Sequence, residues 1–136
     1  AVRVGGGHNH RLGLYDAILI KDNHIAVAGG VKEALARAKA YASHMTKIEI
    51  EVESLEQARE AVAGGADVIM LDNMAPEAMK ECVDMIDHQA VVEASGGINA
   101  ANLQAAAAAG VDVISIGALT HSVKAVDISL DVGKVK

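Results

Sequence analysis

The chain has 136 residues and a formal net charge of −6, which argues against a general nucleic-acid binder and allows one domain around one buried core. Hydrophobic residues make up 51% of it, yet its aromatics are only Tyr15 and Tyr41, so the core must be built from Val, Ile, Leu, Ala and Met. That composition suits helices packed on a buried parallel sheet of β-branched strands. The single Cys82 excludes a disulfide within the chain and points to a reducing compartment. No apolar run approaches membrane-spanning length, and no signal-like segment is present. The expectation is a soluble, cytoplasmic protein that does not act at a membrane. The opening Ala1-Val2-Arg3-Val4 reads as mid-domain sequence, so the chain is expected to start partway through its fold.

The first 21 residues carry Arg3, Arg11 and Lys21 against only Asp16, together with His8 and His10. A cationic segment in an acidic protein fits a small anionic ligand; the alternative is a chance cluster of surface charge. Two stretches stand out here: Gly5-Gly6-Gly7-His8-Asn9-His10-Arg11 and Lys21-Asp22-Asn23-His24. The glycines let a ligand approach the backbone, and His10 and Arg11 carry donors suited to carboxylate or phosphate. Lys21 follows the apolar run Ala17-Ile18-Leu19-Ile20 and is expected at a strand end. His8-Asn9-His10 could bind a metal, but it has no third ligand nearby in sequence.

Short Val- and Ile-rich runs then alternate with Ala-rich helical stretches. The further runs are Ile48–Val52, Val68–Leu71, Val91–Ala94 and Val113–Ile116, and the helices are expected near residues 30–43, 54–64, 75–86 and 99–109. Ser54 and Asn99 are N-cap candidates, Pro76 fits a first helical turn, and Gly64-Gly65 and Gly110 serve as helix stops. Such repeats imply parallel strands, either in a doubly wound sheet or in a barrel. Glu51, Asp72 and Glu93 fall near strand C-termini at equal 21-residue spacing. Each could simply cap a helix, but three in phase favour a barrel, whose active site lies at the C-terminal ends of its strands. The expected fold is therefore α/β: a parallel (β/α) barrel, open or irregular, whose first strands lie outside this chain.

Glu93-Ala94-Ser95-Gly96-Gly97 and Gly117-Ala118-Leu119-Thr120-His121-Ser122 both follow strands. Glycine-rich loops after the last strands of a barrel expose N–H groups to phosphate. Carboxylates in an anion-binding mouth fit a divalent ion held with substrate phosphates, or ribose hydroxyls.

Read together, GGGHNHRLGLYDAILIKDNHI, IEIEVESLEQA, DVIMLDNM, VVEASGGIN and GVDVISIGALTHSVKAVDISLD closely resemble the quinolinate phosphoribosyltransferase family. The resemblance implies that residues 1–136 are the C-terminal part of a catalytic α/β barrel, with an N-terminal sandwich domain and the first barrel elements upstream. It implies transfer of phosphoribosyl from 5-phosphoribosyl-1-pyrophosphate (PRPP) to quinolinate with decarboxylation, for NAD biosynthesis, with Mg²⁺. It also implies a homodimer or larger homo-oligomer, and an inactive isolated fragment. By the same resemblance His10, Arg11 and Lys21 hold the quinolinate carboxylates. Glu51 and Asp72 face the ribose hydroxyls and the metal, and Ser95, Gly96, Gly97 and Gly117 cradle phosphate. The rival readings are a phosphoribosyltransferase for nicotinate or another small ring acid, a non-catalytic phosphate-binding barrel, and a barrel aldolase with Lys21 as Schiff base.

Overall fold

The computed structural model describes residues 1–133. Five strands form one sheet: β1 (Ile18–Ile20), β2 (Ile48–Val52), β3 (Val68–Asp72), β4 (Val91–Ser95) and β5 (Val113–Ile114). All neighbouring pairs are parallel, and the order in space is the order in sequence. Sequential order with a helical segment in every connection is the winding of a barrel, whereas a doubly wound sheet reverses direction partway. β1 and β5 pair with one neighbour each, so the sheet is an open arc. The expected α/β architecture is the observed one.

The helices cover the outer side. α1 (Asp22–Ala28) and α2 (Val31–Tyr41) connect β1 to β2, α3 (Leu55–Ala63) follows β2, α4 (Pro76–Ile86) follows β3, and α5 (Leu103–Ala108) follows β4. A short α6 (Ala118–His121) follows β5. Ser54 caps α3 by accepting from Gln57 N at 3.2 Å, while Gln57 Oε1 accepts from Glu53 N at 2.8 Å. Pro76 opens α4, where its missing N–H costs nothing. Gly110, at φ +93°, follows α5 in the left-handed conformation expected of a helix stop. The fourth expected helix begins later than Asn99. Residues 99–102 form a turn closed by Asn99 N donating to Asn102 Oδ1 and Ala101 N donating to Asn99 Oδ1, because Asn side chains compete with the helix for local backbone groups.

α1 was not expected. Lys21 to His24 reads as a polar loop, but Lys21 is the N-cap residue of α1, its N–H bonded to His24 Nδ1 at 2.9 Å. Gly29, at φ +97°, ends the helix, and Gly30 opens α2.

Strand alternation divides the sheet into two faces. Ile48, Ile50, Val52, Ile69, Leu71, Val92 and Ala94 pack outward with Leu35, Ala58, Ala61, Met79, Cys82 and Ile86 in one core. Ile50, Ile69, Leu71 and Ile86 are fully buried, each contributing about 1.5–3 kcal/mol of transfer free energy. The opposite parity, Glu49, Glu51, Met70, Asp72 and Glu93, faces the concave side. That face carries the chemistry.

Candidate functional site

At the C-terminal ends of the strands one cavity of about 460 Å³ is lined by Lys21, Glu51, Asp72, Ser95, Gly96, Gly97 and Gly117, with His121 at its edge. Seven of the nine residues expected to bind substrate therefore surround one space. The end of β1 supplies Lys21, β2 supplies Glu51 and β3 supplies Asp72. The loop after β4 supplies the two glycines, and the loop after β5 supplies Gly117.

Lys21 Nζ donates to Glu51 Oε1 at 2.6 Å. This bond, with attraction from Glu51, Asp72 and Asp22, raises the Lys21 ammonium above its ordinary 10.5 despite partial desolvation. Lys21 is therefore a fixed cation at neutral pH, which does not suit the neutral amine a Schiff base needs. Asp72 Oδ2 accepts from Asn73 Nδ2 at 2.8 Å. Neither Glu51 Oε2 nor Asp72 Oδ1 has a hydrogen-bond partner among the described residues.

The glycine loop after β4 is shaped by Asn73. Asn73 N donates to Ser95 O at 3.0 Å, and Asn73 itself sits at φ +52°. Gly96 is at φ +83°, and a Cβ there would meet Asn73 N at 2.7 Å. Only glycine lets the β3 and β4 loops approach this closely. Asn73 escaped notice in the sequence because nothing near Asp72 announces a positive φ.

His10 lies elsewhere. It lines a second cavity, about 740 Å³, together with His8, Glu93, Ser115 and Gly117. Ser115 and Gly117 line both spaces, so the two adjoin. His10 Nε2 is 3.0 Å from Glu49 Oε2 and 3.7 Å from Glu93 Oε2. Arg11 lines neither cavity; its guanidinium donates to Ala17 O at 3.1 Å, tying the entering loop to the start of the sheet.

Glu93 is corrected. Its 21-residue spacing from Asp72 suggested a third carboxylate at the same mouth, but Glu93 is the central residue of β4 and is 4% exposed. Equal spacing did not mean equal height. Glu51 pairs with Met70 and Met70 pairs with Glu93, while Asp72 pairs with Ser95, two residues further along. The β3-to-β4 connection is longer than the β2-to-β3 one, which sets Glu93 two residues below Asp72 and level in pairing with Glu51; on β4, however, Glu93 faces His10 and Ser115 in the concave interior. There its Oε1 accepts a short hydrogen bond from Ser115 Oγ.

Glu49 was overlooked, although the run Ile48-Glu49-Ile50-Glu51-Val52 gives it the parity of Glu51. It is buried, and its Oε1 has no hydrogen-bond partner. Burial, then the nearby Glu93, push the Glu49 carboxyl above its usual 4.5, against the pull of His10. The partners of His10 thus come from two strands remote in sequence and not from His8.

The fold and site define an α/β barrel domain that gathers a lysine, two carboxylates and glycine loops at one mouth. The chain belongs to the quinolinate phosphoribosyltransferase family: residues 1–131 match the family's C-terminal domain. It is 54% identical over 132 residues to a Bacillus subtilis protein named as a probable nicotinate-nucleotide pyrophosphorylase (carboxylating), covering 97% of this chain and 46% of that one. It is 46% identical over 134 residues to the nicotinate-nucleotide pyrophosphorylase (carboxylating) of Mycobacterium leprae, covering 96% and 47%. The nicotinate-nucleotide pyrophosphorylase structure from Francisella tularensis superposes with a TM-score of 0.89 at 44% identity, covering 94% and 45%. The Streptococcus pyogenes NadC structure superposes with a TM-score of 0.84 at 48% identity, covering 93% and 44%. The chain spans about half the length of the relatives it matches.

Proposed function

We propose that this chain forms the C-terminal part of the catalytic barrel of an enzyme that transfers phosphoribosyl from PRPP to quinolinate, releasing pyrophosphate and CO₂. The observation that carries the reading is the single cavity holding Lys21, Glu51 and Asp72 against the Ser95-Gly96-Gly97 and Gly117 loops.

As the bond from ribose C1 to pyrophosphate breaks, its electron pair leaves with the pyrophosphate and positive charge grows on the ribose. Glu51 and Asp72 are placed to stabilise that charge and to accept from ribose hydroxyls. The quinolinate ring nitrogen supplies the pair for the new bond to C1. The carboxylate beside that nitrogen then departs as CO₂, and its bonding pair stays on the ring carbon next to the cationic nitrogen until a proton from solvent replaces it. No protein nucleophile is needed, so positioning and electrostatics carry the rate. Lys21 supplies a fixed cation for a quinolinate carboxylate, with His10 and Arg11 as further hydrogen-bonding groups on the entering segment.

The unpaired Glu51 Oε2 and Asp72 Oδ1 form a hard-oxygen donor set that fits Mg²⁺, which binds through one or two carboxylates plus substrate phosphates. Bound there, Mg²⁺ would supply charge neutralisation for the departing pyrophosphate.

The same reading includes an upstream sandwich domain and first barrel strands, a homo-oligomer, and a cytoplasmic setting. No helix among the described residues is long and apolar enough to cross a membrane. The test is turnover by the purified protein carrying this chain, with PRPP and Mg²⁺, on quinolinate and on nicotinate in parallel. Nicotinate mononucleotide and CO₂ formed in equal amounts from quinolinate are expected. Turnover of nicotinate without CO₂, in place of quinolinate, would overturn the reading.

A further inference from the structure

Asn73 lies outside the lining of the cavity that holds Lys21, Glu51 and Asp72, yet it stands in a conformation that few side chains adopt. Among the described residues the non-glycines with positive φ are Asn73, Asp87 and His88, and of these only Asn73 adjoins a residue of that cavity. Asn73 N still donates to Ser95 O at 3.0 Å, one rung beyond the Asp72–Ser95 pair that ends β3. The chain then turns, at φ +52°, toward α4. Glycine would meet that backbone demand at the least steric cost, and asparagine tolerates it better than most residues. What asparagine adds to glycine is an amide.

Both ends of that amide are engaged. Asn73 Nδ2 donates to Asp72 Oδ2 at 2.8 Å. A carboxylate only accepts, so the amide nitrogen and not its oxygen must face Asp72. Asn73 Oδ1 is thereby turned onto Gly96, too close for any side chain to stand there. With Asp72 Oδ2 taken, Asp72 Oδ1 is the oxygen without a hydrogen-bond partner among the described residues. It is the one left for a ligand in the cavity shared with Lys21 and Glu51.

We infer that Asn73 is a positioning residue: it holds Asp72 by Oδ2, leaves Asp72 Oδ1 for the ribose side of the substrate, and ties that orientation to the Ser95-Gly96-Gly97 loop. The inference rests on the proposed function for the identity of the ligand; the orientation of Asp72 rests on the hydrogen bonds. Two contacts of one residue link the carboxylate to the glycine loop, the backbone N–H on Ser95 O and the amide on Asp72. A glycine loop that moved would carry Asn73 with it, and with Asn73 the grip on Asp72.

The experiment compares Asn73→Gly and Asn73→Asp, alone and in an Asp72→Ala background, in the protein carrying this chain. Asn73→Gly keeps the positive φ and removes the amide. Asn73→Asp keeps the shape but puts an acceptor where the donor was, and it guards against a glycine variant that fails to fold. Asn73→Gly is expected to keep native circular dichroism and a urea midpoint near that of the parent. It should lower kcat/KM for PRPP about tenfold, the loss of a hydrogen bond to a charged group, while KM for quinolinate changes less than about twofold. Asn73→Asp should lose at least as much. In the Asp72→Ala background either substitution should add less than about twofold, because residues acting through one group are not additive. Parent-like kcat/KM for PRPP in both variants, an equal rise in KM for quinolinate, or full additivity would overturn the inference. Crystal structures of the parent and of Asn73→Gly give a readout without turnover: the Asp72 side chain should take a different rotamer, or more than one, in the variant. If the parent protein turns over no quinolinate, the functional reading fails. The structures then still judge the positioning: an Asp72 side chain unmoved in Asn73→Gly overturns it.

Discussion

Lys21 Nζ and Glu51 Oε1 meet at 2.6 Å across the ends of two adjacent strands, thirty positions apart in sequence. In the proposed function, the pair joins the cation for a substrate carboxylate to a carboxylate on the ribose side. Each sets the other's orientation before any ligand arrives.

Lys21→Met should therefore abolish most turnover while costing little stability, about 0–1 kcal/mol at pH 7, since the Lys21 side chain is half-exposed. The Lys21 ammonium is raised above 10.5 in the folded state. Its contribution to stability is thus complete below that value and is lost as pH rises through the higher folded one. Thermal melts of parent and variant should differ slightly at pH 7 and converge in strongly alkaline buffer. A gap that widens with pH would contradict the assignment.

Gly96→Ala should be worse than Gly97→Ala. Both glycines have positive φ, which costs an alanine about 1–2 kcal/mol. Only at Gly96 would the new Cβ also press on backbone, Asn73 N at 2.7 Å; at Gly97 the nearest atom, Asn73 Oδ1, is 3.9 Å away. Urea titration should rank the two, and PRPP affinity should follow the same order. Equal losses would mean that the Asn73 contact does not shape the loop.

Asp67 predicts a loss of stability in acid. Its carboxyl accepts from Lys47 Nζ at 2.7 Å and Ile48 N at 2.9 Å, joining the starts of β2 and β3. Burial pushes it up, but these bonds outweigh burial and hold it below 3.8. The stabilisation is present above pH 3.8 and disappears as pH falls through the lower folded value. Asp67→Asn should cost about 1–2 kcal/mol at pH 7, with the difference closing below pH 3.8. A pH-independent gap in denaturant titrations would rule this out.

Cys82 is expected to be inert. It is fully buried on α4, and burial raises its thiol above 9.0. A thiol reagent at pH 8 should label it only after unfolding. Cys82→Ser should cost about 1–3 kcal/mol by burying a hydroxyl in the core. Rapid labelling of the native protein would refute this.

Much of the fold was legible because local chemistry repeats. Val and Ile in short runs, Ser54 and Pro76 at helix starts, and Gly110 at a stop give the βα period, and the structure follows it with small shifts at the ends. α1 was hidden because Lys21, Asp22 and Asn23 look like a loop, and its N-terminus depends on a His24 side-chain bond. The pocket of Lys21, Glu51 and Asp72 was legible because a strand-end position is itself a sequence property. The separate setting of Glu93 was not, since it depends on contacts with His10 and Ser115 from distant parts of the chain.

The sequence by itself determined the alternation of strand and helix, the outward apolar parity of the strands, and the residue types gathered at their C-terminal ends. These are one-dimensional facts, because a parallel strand's two faces and its polarity are written in its order of side chains. Tertiary structure alone decided the register and which carboxylates share a cavity. It placed Glu51 and Asp72 with Lys21, and Glu49 and Glu93 around His10. The physical reason is that Glu51 and Glu93 stand level in the pairing, and what each meets comes from other strands and from the entering segment, which the order along the chain does not show.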